Sequence, residues 1–249
     1  MSHSTLHLGL IGDVHARFDR LAPVLDYLAE LPRLDAVLLV GDVSRDPPWS
    51  ERGRHDATQV QSFAQVLAAI EARLSAPVLF VPGNHDPRSV PLPGNVDRTL
   101  HTLENLRIFG IGGAGPARFG FPYEWDEPEI AALKVPTCDL LLVHCPPFGT
   151  LIDALSGGRG HVGSHAIRTL AEGHHGALVC GHIHESAGFV LLGDCLCINV
   201  GALGEPYGRA CVGELTVQQD ANSITWTATL TELAGGASRT LEHVTQRSL

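Results

Sequence analysis

Five short apolar runs in this chain each stop at a polar side chain able to bind a cation, and four of them pass through a glycine on the way. Leu6 to Ile11 leads into Gly12-Asp13-Val14-His15. Ala36 to Val40 leads into Gly41-Asp42, and Pro77 to Val81 into Gly83-Asn84-His85-Asp86. Asp139 to Val143 leads into His144-Cys145-Pro146, and Ala177 to Cys180 into Gly181-His182-Ile183-His184. Runs of this length, bounded by turn residues, read as strands buried on both faces. Segments of helical period lie between the first three. Phe18 to Leu31 carries Leu21, Val24, Leu25 and Leu28 on one stripe, and Val60, Phe63, Val66, Leu67, Ile70 and Leu74 form another. Strands separated by helices imply βαβ units and a largely parallel sheet, so the fold class is α/β.

The second half adds a hairpin, Thr99 to Leu103 with Leu106 to Ile111, and a short helix capped by Ser164 that runs through Ala171. From Gly188 onward the pattern changes. Phe189 to Leu192, Cys195 to Val200, Ala210 to Val217 and Ser223 to Leu230 read as successive strands joined by turns, which suggests a second sheet packed on the first. Two stretches rich in Pro, Gly, Trp and charge, Ser44 to Asp56 and Gly112 to Glu129, read as surface loops that shape a binding site. There is no internal repeat or long linker, and residues 1–249 are expected to form one domain.

Composition narrows the function classes. A net charge of −10 disfavours a broad nucleic-acid face. No apolar run reaches the ~18 residues of a bilayer span, and Met1 to His7 lacks the basic start and long apolar core of a signal peptide. A cytoplasmic location follows as the expectation. The six cysteines, Cys138, Cys145, Cys180, Cys195, Cys197 and Cys211, show no zinc-ribbon spacing and are expected to be reduced core residues.

In an open α/β sheet the carboxyl ends of parallel strands share one edge, so the five polar strand ends are expected to meet. They bring Asp13, Asp42, Asn84, His15, His144, His182 and His184, with His85 in addition. Imidazole with carboxylate suits Mn, Fe, Zn or Ni. Seven ligands exceed the needs of one ion and suffice for two if a carboxylate bridges. Two ions ~3.5–4 Å apart clamp the oxygens of an in-line displacement and acidify a bridging water. Asp13 and His15 are two residues apart, so in an extended segment both would face one ion. His182 and His184 share that spacing, and whether they serve one ion or two stays open on spacing alone.

The ordered set Asp13-Val14-His15, Gly41-Asp42, Gly83-Asn84-His85-Asp86, His144 and Gly181-His182-Ile183-His184 resembles the calcineurin-like metallophosphoesterase superfamily, over about residues 6 to 203, and its compact bacterial members most. The resemblance implies a four-layer sandwich of two mixed β-sheets flanked by helices. It implies that Asp13, His15 and His184 bind one metal, that Asn84, His144 and His182 bind the other, and that Asp42 bridges. It places His85 at the leaving oxygen as general acid, with Asp86 orienting or tuning it, and Asn199 of Asn199-Val200-Gly201 near the site. Asp42 is followed by Val43-Ser44-Arg45-Asp46 and His15 by Ala16, which departs from the protein Ser/Thr phosphatase branch. Candidate substrate contacts are Asn84, Arg17, Arg159 and Asn199, with Arg45 and Arg118 as further arginines. The amides of the Gly157 to Ser164 loop are candidates for an anion, and Trp49, Phe119, Phe121, Tyr123 and Trp125 for stacking on a base.

The expected activity is hydrolysis of phosphate esters, phosphodiesters ahead of monoesters, with two divalent transition-metal ions, Mn first. The expected substrate is a small phosphate ester or nucleotide. A nucleotide pyrophosphatase is the alternative enzyme and a catalytically inactive scaffold the alternative outside enzymes.

Overall fold

A computed structural model describes residues 4–48, 56–203 and 208–246. Trp49 and the end of the expected loop after Ser44 lie outside the described residues. The strands are β1 Ser4–Ile11, β2 Ala36–Leu39, β3 Val78–Phe80, β4 Leu100–Leu103, β5 Leu106–Ile111 and β6 Leu140–Val143. They continue with β7 Gly176–Cys180, β8 Gly188–Leu192, β9 Cys195–Asn199, β10 Cys211–Gln219, β11 Ser223–Glu232 and β12 Ala237–Gln246. The helices are α1 Phe18–Ala29, α2 Asp56–Arg73, α3 Glu127–Ala131 and α4 His165–Glu172.

Two six-stranded mixed sheets form, in the orders β12-β11-β10-β1-β2-β3 and β4-β5-β6-β7-β9-β8. In the first, β1, β2 and β3 are parallel and β10 pairs antiparallel with β1. In the second, β5, β6, β7 and β9 are parallel. This corrects two expectations. The change of pattern at Gly188 does not open a new sheet: β8 and β9 complete the sheet begun at β4, whereas β10 to β12 return to flank β1. The five polar strand ends therefore belong to two sheets rather than one, three in the first and two in the second.

Three apolar layers hold the sandwich together. Between the sheets, Leu8, Leu10, Leu38 and Val40 meet Ile108, Leu140, Leu142 and Val179. On the outer face of the first sheet, Leu21, Val24 and Leu28 of α1 and Phe63, Val66 and Ile70 of α2 cover Val37 and Leu39. On the outer face of the second, Ile130 of α3 and Ile167 and Ala171 of α4 cover Leu141 and Leu178. The order is helix, sheet, sheet, helix, the four-layer arrangement expected. Strands buried on both faces need apolar side chains throughout, and β2, β6 and β7 are buried at every position. All six cysteines are buried and unpaired. No helix among the described residues is long and apolar enough to cross a membrane.

Candidate metal centre

The chain turns sharply where three of the five ligand-bearing strands end. His15 (φ 47°), Asp42 (φ 50°) and His182 (φ 67°) sit in the left-handed region. Non-glycine residues rarely adopt it, and where they do a site is often near. Asp13 continues its strand in a bridge with Ala202, and the turn begins at His15 and Ala16. Two glycines are dictated by close approach. A Cβ at Gly83 would lie 2.0 Å from Asp42 Oδ1, and one at Gly181 would lie 2.4 Å from Asp13 Oδ1. The glycine of each motif thus makes room for the carboxylate delivered by another strand.

Those carboxylates are pinned by backbone amides from neighbouring loops. Asp13, fully buried, accepts from His182 N at 3.0 Å, which ties the end of β1 to the end of β7 across the two sheets. Asp42 Oδ1 accepts from His85 N at 2.8 Å. Its other oxygen, Oδ2, faces the rings: 3.5 Å from His144 Nε2, 3.9 Å from His15 Nε2 and 4.0 Å from His85 Nε2. Asp13 Oδ2 is 3.0 Å from His184 Nε2, and His15 Nε2 is 3.5 Å from His184 Nε2. His144 donates from Nδ1 to the Val40 carbonyl at 2.8 Å, and its Nε2 lies 2.9 Å from Asn84 Oδ1.

Besides a cluster of His15, Asp46 and His85, two groups of potential ligand atoms share a carboxylate, Asp13, His15, Asp42 and His184 in one and Asp42, His144 and His182 in the other, and in each of the three the atoms lie within 4.8 Å of one another. Asp42 belongs to both, and Asn84 joins the second through His144. The two histidines of Gly-His-x-His divide between the groups, which spacing alone left open.

The electrostatics suit a cation. Burial disfavours the charged ring of His15, yet the nearby Asp46, Asp42 and Asp13 carboxylates outweigh it and raise its pKa to about 9. His144 is raised to about 9 against the same burial, chiefly by Asp42. Burial opposes charge on Asp42, but the surrounding imidazoles hold its carboxyl well below the usual range. Burial and the neighbouring His144 push His182 down to about 3, so that ring is neutral. Imidazole nitrogens that face one another across buried carboxylates need either protons or metal ions between them. A hard and borderline donor set of this kind fits divalent transition metals.

The remaining expected residues fall into place less uniformly. His85 lies against the Phe121 ring, centroids 4.2 Å apart, and its Nδ1 hydrogen-bonds the Asp46 carboxylate. Asp86 is not that partner, contrary to expectation. It is buried and accepts from Gly83 N, Val43 N and Ser44 N, so it shapes the loops and leaves the ring to Asp46. Burial and the charge of Asp42 push the Asp86 carboxyl up. Asn199 is also corrected. Its Nδ2 donates to the carbonyls of Ile152 and Ile183 and its Oδ1 accepts from Gly201 N, so it clamps the His182 to His184 turn and presents nothing to a substrate. Arg17 lines a recess with His15, Asp46, His85 and His184 and pairs with Asp19. Arg159 pairs with Glu185. At the α4 start His165 N and Ala166 N donate to Glu127 and Ile167 N to Ser164, and in the loop before it Gly163 N donates to Asp153 and Ser164 N to the Pro146 carbonyl. Tyr123 and Trp125 are buried and pack the loop, whereas Phe119 and Phe121 line a cleft of about 640 Å³ beside Asn84, His85 and His182. Asp46 was missed from the sequence because it follows no strand end.

The sequence profile of the calcineurin-like phosphoesterases matches residues 6–186. A protein of Methanocaldococcus jannaschii described as uncharacterized is 33% identical over 136 residues, which are 49% of this chain and 62% of that protein. The match thus spans less than two thirds of the relative. One solved crystal structure superposes with a TM-score of 0.66 at 14% identity, covering 96% of this chain and all of that one (100%). A Streptococcus pneumoniae TIGR4 protein described as a predicted phosphoesterase gives 0.43 at 16% identity, covering 96% of this chain and 99% of its own. At 14% identity the first of these likenesses shows the fold alone.

Proposed function

Because the chain belongs to the calcineurin-like phosphoesterase family, we propose that it hydrolyses small phosphate esters, phosphodiesters by preference, at a centre of two divalent metal ions. The observation that carries this reading is the position of Asp42 Oδ2, which is shared by two separate groups of imidazole and carboxylate donors. Asp13, His15 and His184 would hold one ion and Asn84, His144 and His182 the other, with Asp42 between them. Bound ions, manganese by preference over iron, zinc or nickel, would supply Lewis acidity and a nucleophile drawn from water.

The protein's own groups do the rest. Val40 fixes the tautomer of His144 so that Nε2 faces the centre. Asp46 holds His85 at Nδ1, which leaves Nε2 to deliver a proton to the departing oxygen as general acid. Asn84 and Arg17 would contact the phosphoryl oxygens, Arg17 from the recess it lines with His15, His85 and His184. The apolar wall of the cleft, with Phe119, Phe121 and Leu155, has room for a second ester substituent, which favours diesters over monoesters. The test is turnover of bis(para-nitrophenyl) phosphate against para-nitrophenyl phosphate with added manganese. Preference for the first supports the reading. Absence of turnover on both, in protein carrying two metal equivalents, overturns it in favour of a non-catalytic scaffold.

A further inference from the structure

Across the cleft from the ligand groups, the segment between β6 and α4 presents one more histidine. His161 lines the cleft and its side chain is 39% exposed. Its Nδ1 donates to Asp153 Oδ1 at 2.8 Å, and Asp153 is wholly buried. Among the described residues Nε2 of His161 has no hydrogen-bond partner. The ring belongs to neither ligand group.

The carboxylate of Asp153 does not need this histidine. It already accepts from Thr150 N (2.7 Å), Gly149 N (3.0 Å) and Gly163 N (3.0 Å), while the Thr150 hydroxyl, 3.2 Å away, lies closer to the Pro147 carbonyl at 3.0 Å. Three backbone amides thus offset much of the cost of burying the charge without the histidine. Asp153 therefore holds His161, and not the reverse. Donation from Nδ1 leaves the lone pair of the neutral ring on Nε2, on the side away from the buried carboxylate. An acceptor held by Asp153 thus stands in the same cleft as the apolar side chains of Leu155, Val162 and Ile183 and the exposed ring of Phe119, with Glu127 and Glu185 also in the lining.

We propose that His161, positioned by Asp153, is the specificity-determining residue of the cleft. Its Nε2 accepts a hydrogen bond from a hydroxyl or amide on a planar substituent of the phosphodiester, while the plane of that substituent lies against Phe119 and Phe121. The inference rests on the phosphodiesterase reading above and adds the class of substituent: flat, with a hydrogen-bond donor, as in a nucleoside, and not a simple aryl group.

The experiment compares two diesters that release the same para-nitrophenolate. One is bis(para-nitrophenyl) phosphate, which has no donor. The other is the para-nitrophenyl ester of a nucleoside monophosphate, which does. His161→Asn keeps a donor for Asp153 but cannot reach with a second nitrogen, and His161→Gln keeps an amide near the position of Nε2. In His161→Asn, KM for the nucleoside ester should rise about tenfold, the worth of one hydrogen bond of ~1.4 kcal/mol. Its kcat and both constants on the bis-aryl ester should stay within about threefold, with metal content unchanged. His161→Gln should recover part of the loss. Equal losses on both esters, or none on either, overturn the proposal while leaving the phosphoesterase reading intact. A wild-type protein that cleaves neither ester with any divalent metal overturns both.

Discussion

The carboxylate of Asp46 lies between two histidines, hydrogen-bonded to Nδ1 of His85 and 3.1 Å from Nδ1 of His15. One ring is the proposed acid and the other a proposed ligand. The two imidazoles hold the Asp46 carboxyl below its ordinary range against the cost of its partial burial. Asp46→Asn should leave two metals bound and lower kcat about tenfold with little change in KM, since the ring it orients acts only as the ester bond breaks. Steady-state kinetics with metal analysis checks this. A changed KM at constant kcat would place Asp46 in substrate binding.

His85→Ala should retain both metals and lose about 10²–10⁴-fold in kcat on alkyl leaving groups, the usual worth of a general acid. The loss should shrink on para-nitrophenyl esters, whose oxygen leaves without a proton. A leaving-group series measures the difference. Metal loss in this variant would remove His85 from the acid role.

Metal binding should displace protons. In the metal-free protein His15 and His144 hold theirs to about pH 9, above the ordinary value of 6.5. Folded-state pKa values raised in this way stabilise the metal-free fold fully below 6.5, and that stability is lost as pH rises through 9. His182, lowered to about 3, acts in the opposite direction and costs stability as pH falls below 6.5. The melting temperature in chelator should therefore peak near pH 6.5 and fall toward pH 9, while metal-loaded protein should show no alkaline fall. Calorimetric titration of manganese at pH 7.5 in buffers of different ionisation enthalpy should register proton release. Identical heats in all buffers would contradict the protonation pattern.

Gly181→Ala should lose metal and stability together, because the added methyl falls 2.4 Å from Asp13 Oδ1 and 2.5 Å from Val40 Cγ2. Overpacking of this kind costs about 1–3 kcal/mol, or about 2–12 °C in melting temperature for a chain of this size. Thermal melts with and without manganese read both effects.

Asn199→Ala should lower stability by about 1–3 kcal/mol, since the carbonyls of Ile152 and Ile183 and the amide of Gly201 lose their partner in the interior. Its residual activity should show an unchanged KM. A raised KM in a protein of undiminished stability would return Asn199 to the substrate.

The donor residues were legible in the sequence because each follows a buried strand and most follow a glycine whose missing Cβ the geometry requires, as at Gly83 and Gly181. The division of strands between sheets was not, since β2 and β6 carry the same unbroken apolar pattern whichever sheet they join. The strand β12 was missed for the opposite reason. It is an exposed edge with only Leu241, His243 and Thr245 turned inward, and its register comes from pairing with β11. Asp46 and Asp153 act from loops, where no periodicity marks them. Asp86 and Asn199 carry the residue types of a site but serve the backbone, a distinction that only hydrogen-bond partners reveal.

The strand that delivers Asp13 is hemmed on one side by β2 and on the other by β10, its partner along the whole register from Ser4 with Gln219 to Ile11 with Val212. The stretch shared with the family stops at residue 186, before β9 and β10 begin. A fragment trimmed to that stretch would keep every proposed ligand and still expose the flank of β1 and the β9-facing flank of β7. Such open flanks recruit other chains. The chemistry and the means of keeping it folded are thus written in different parts of the polypeptide.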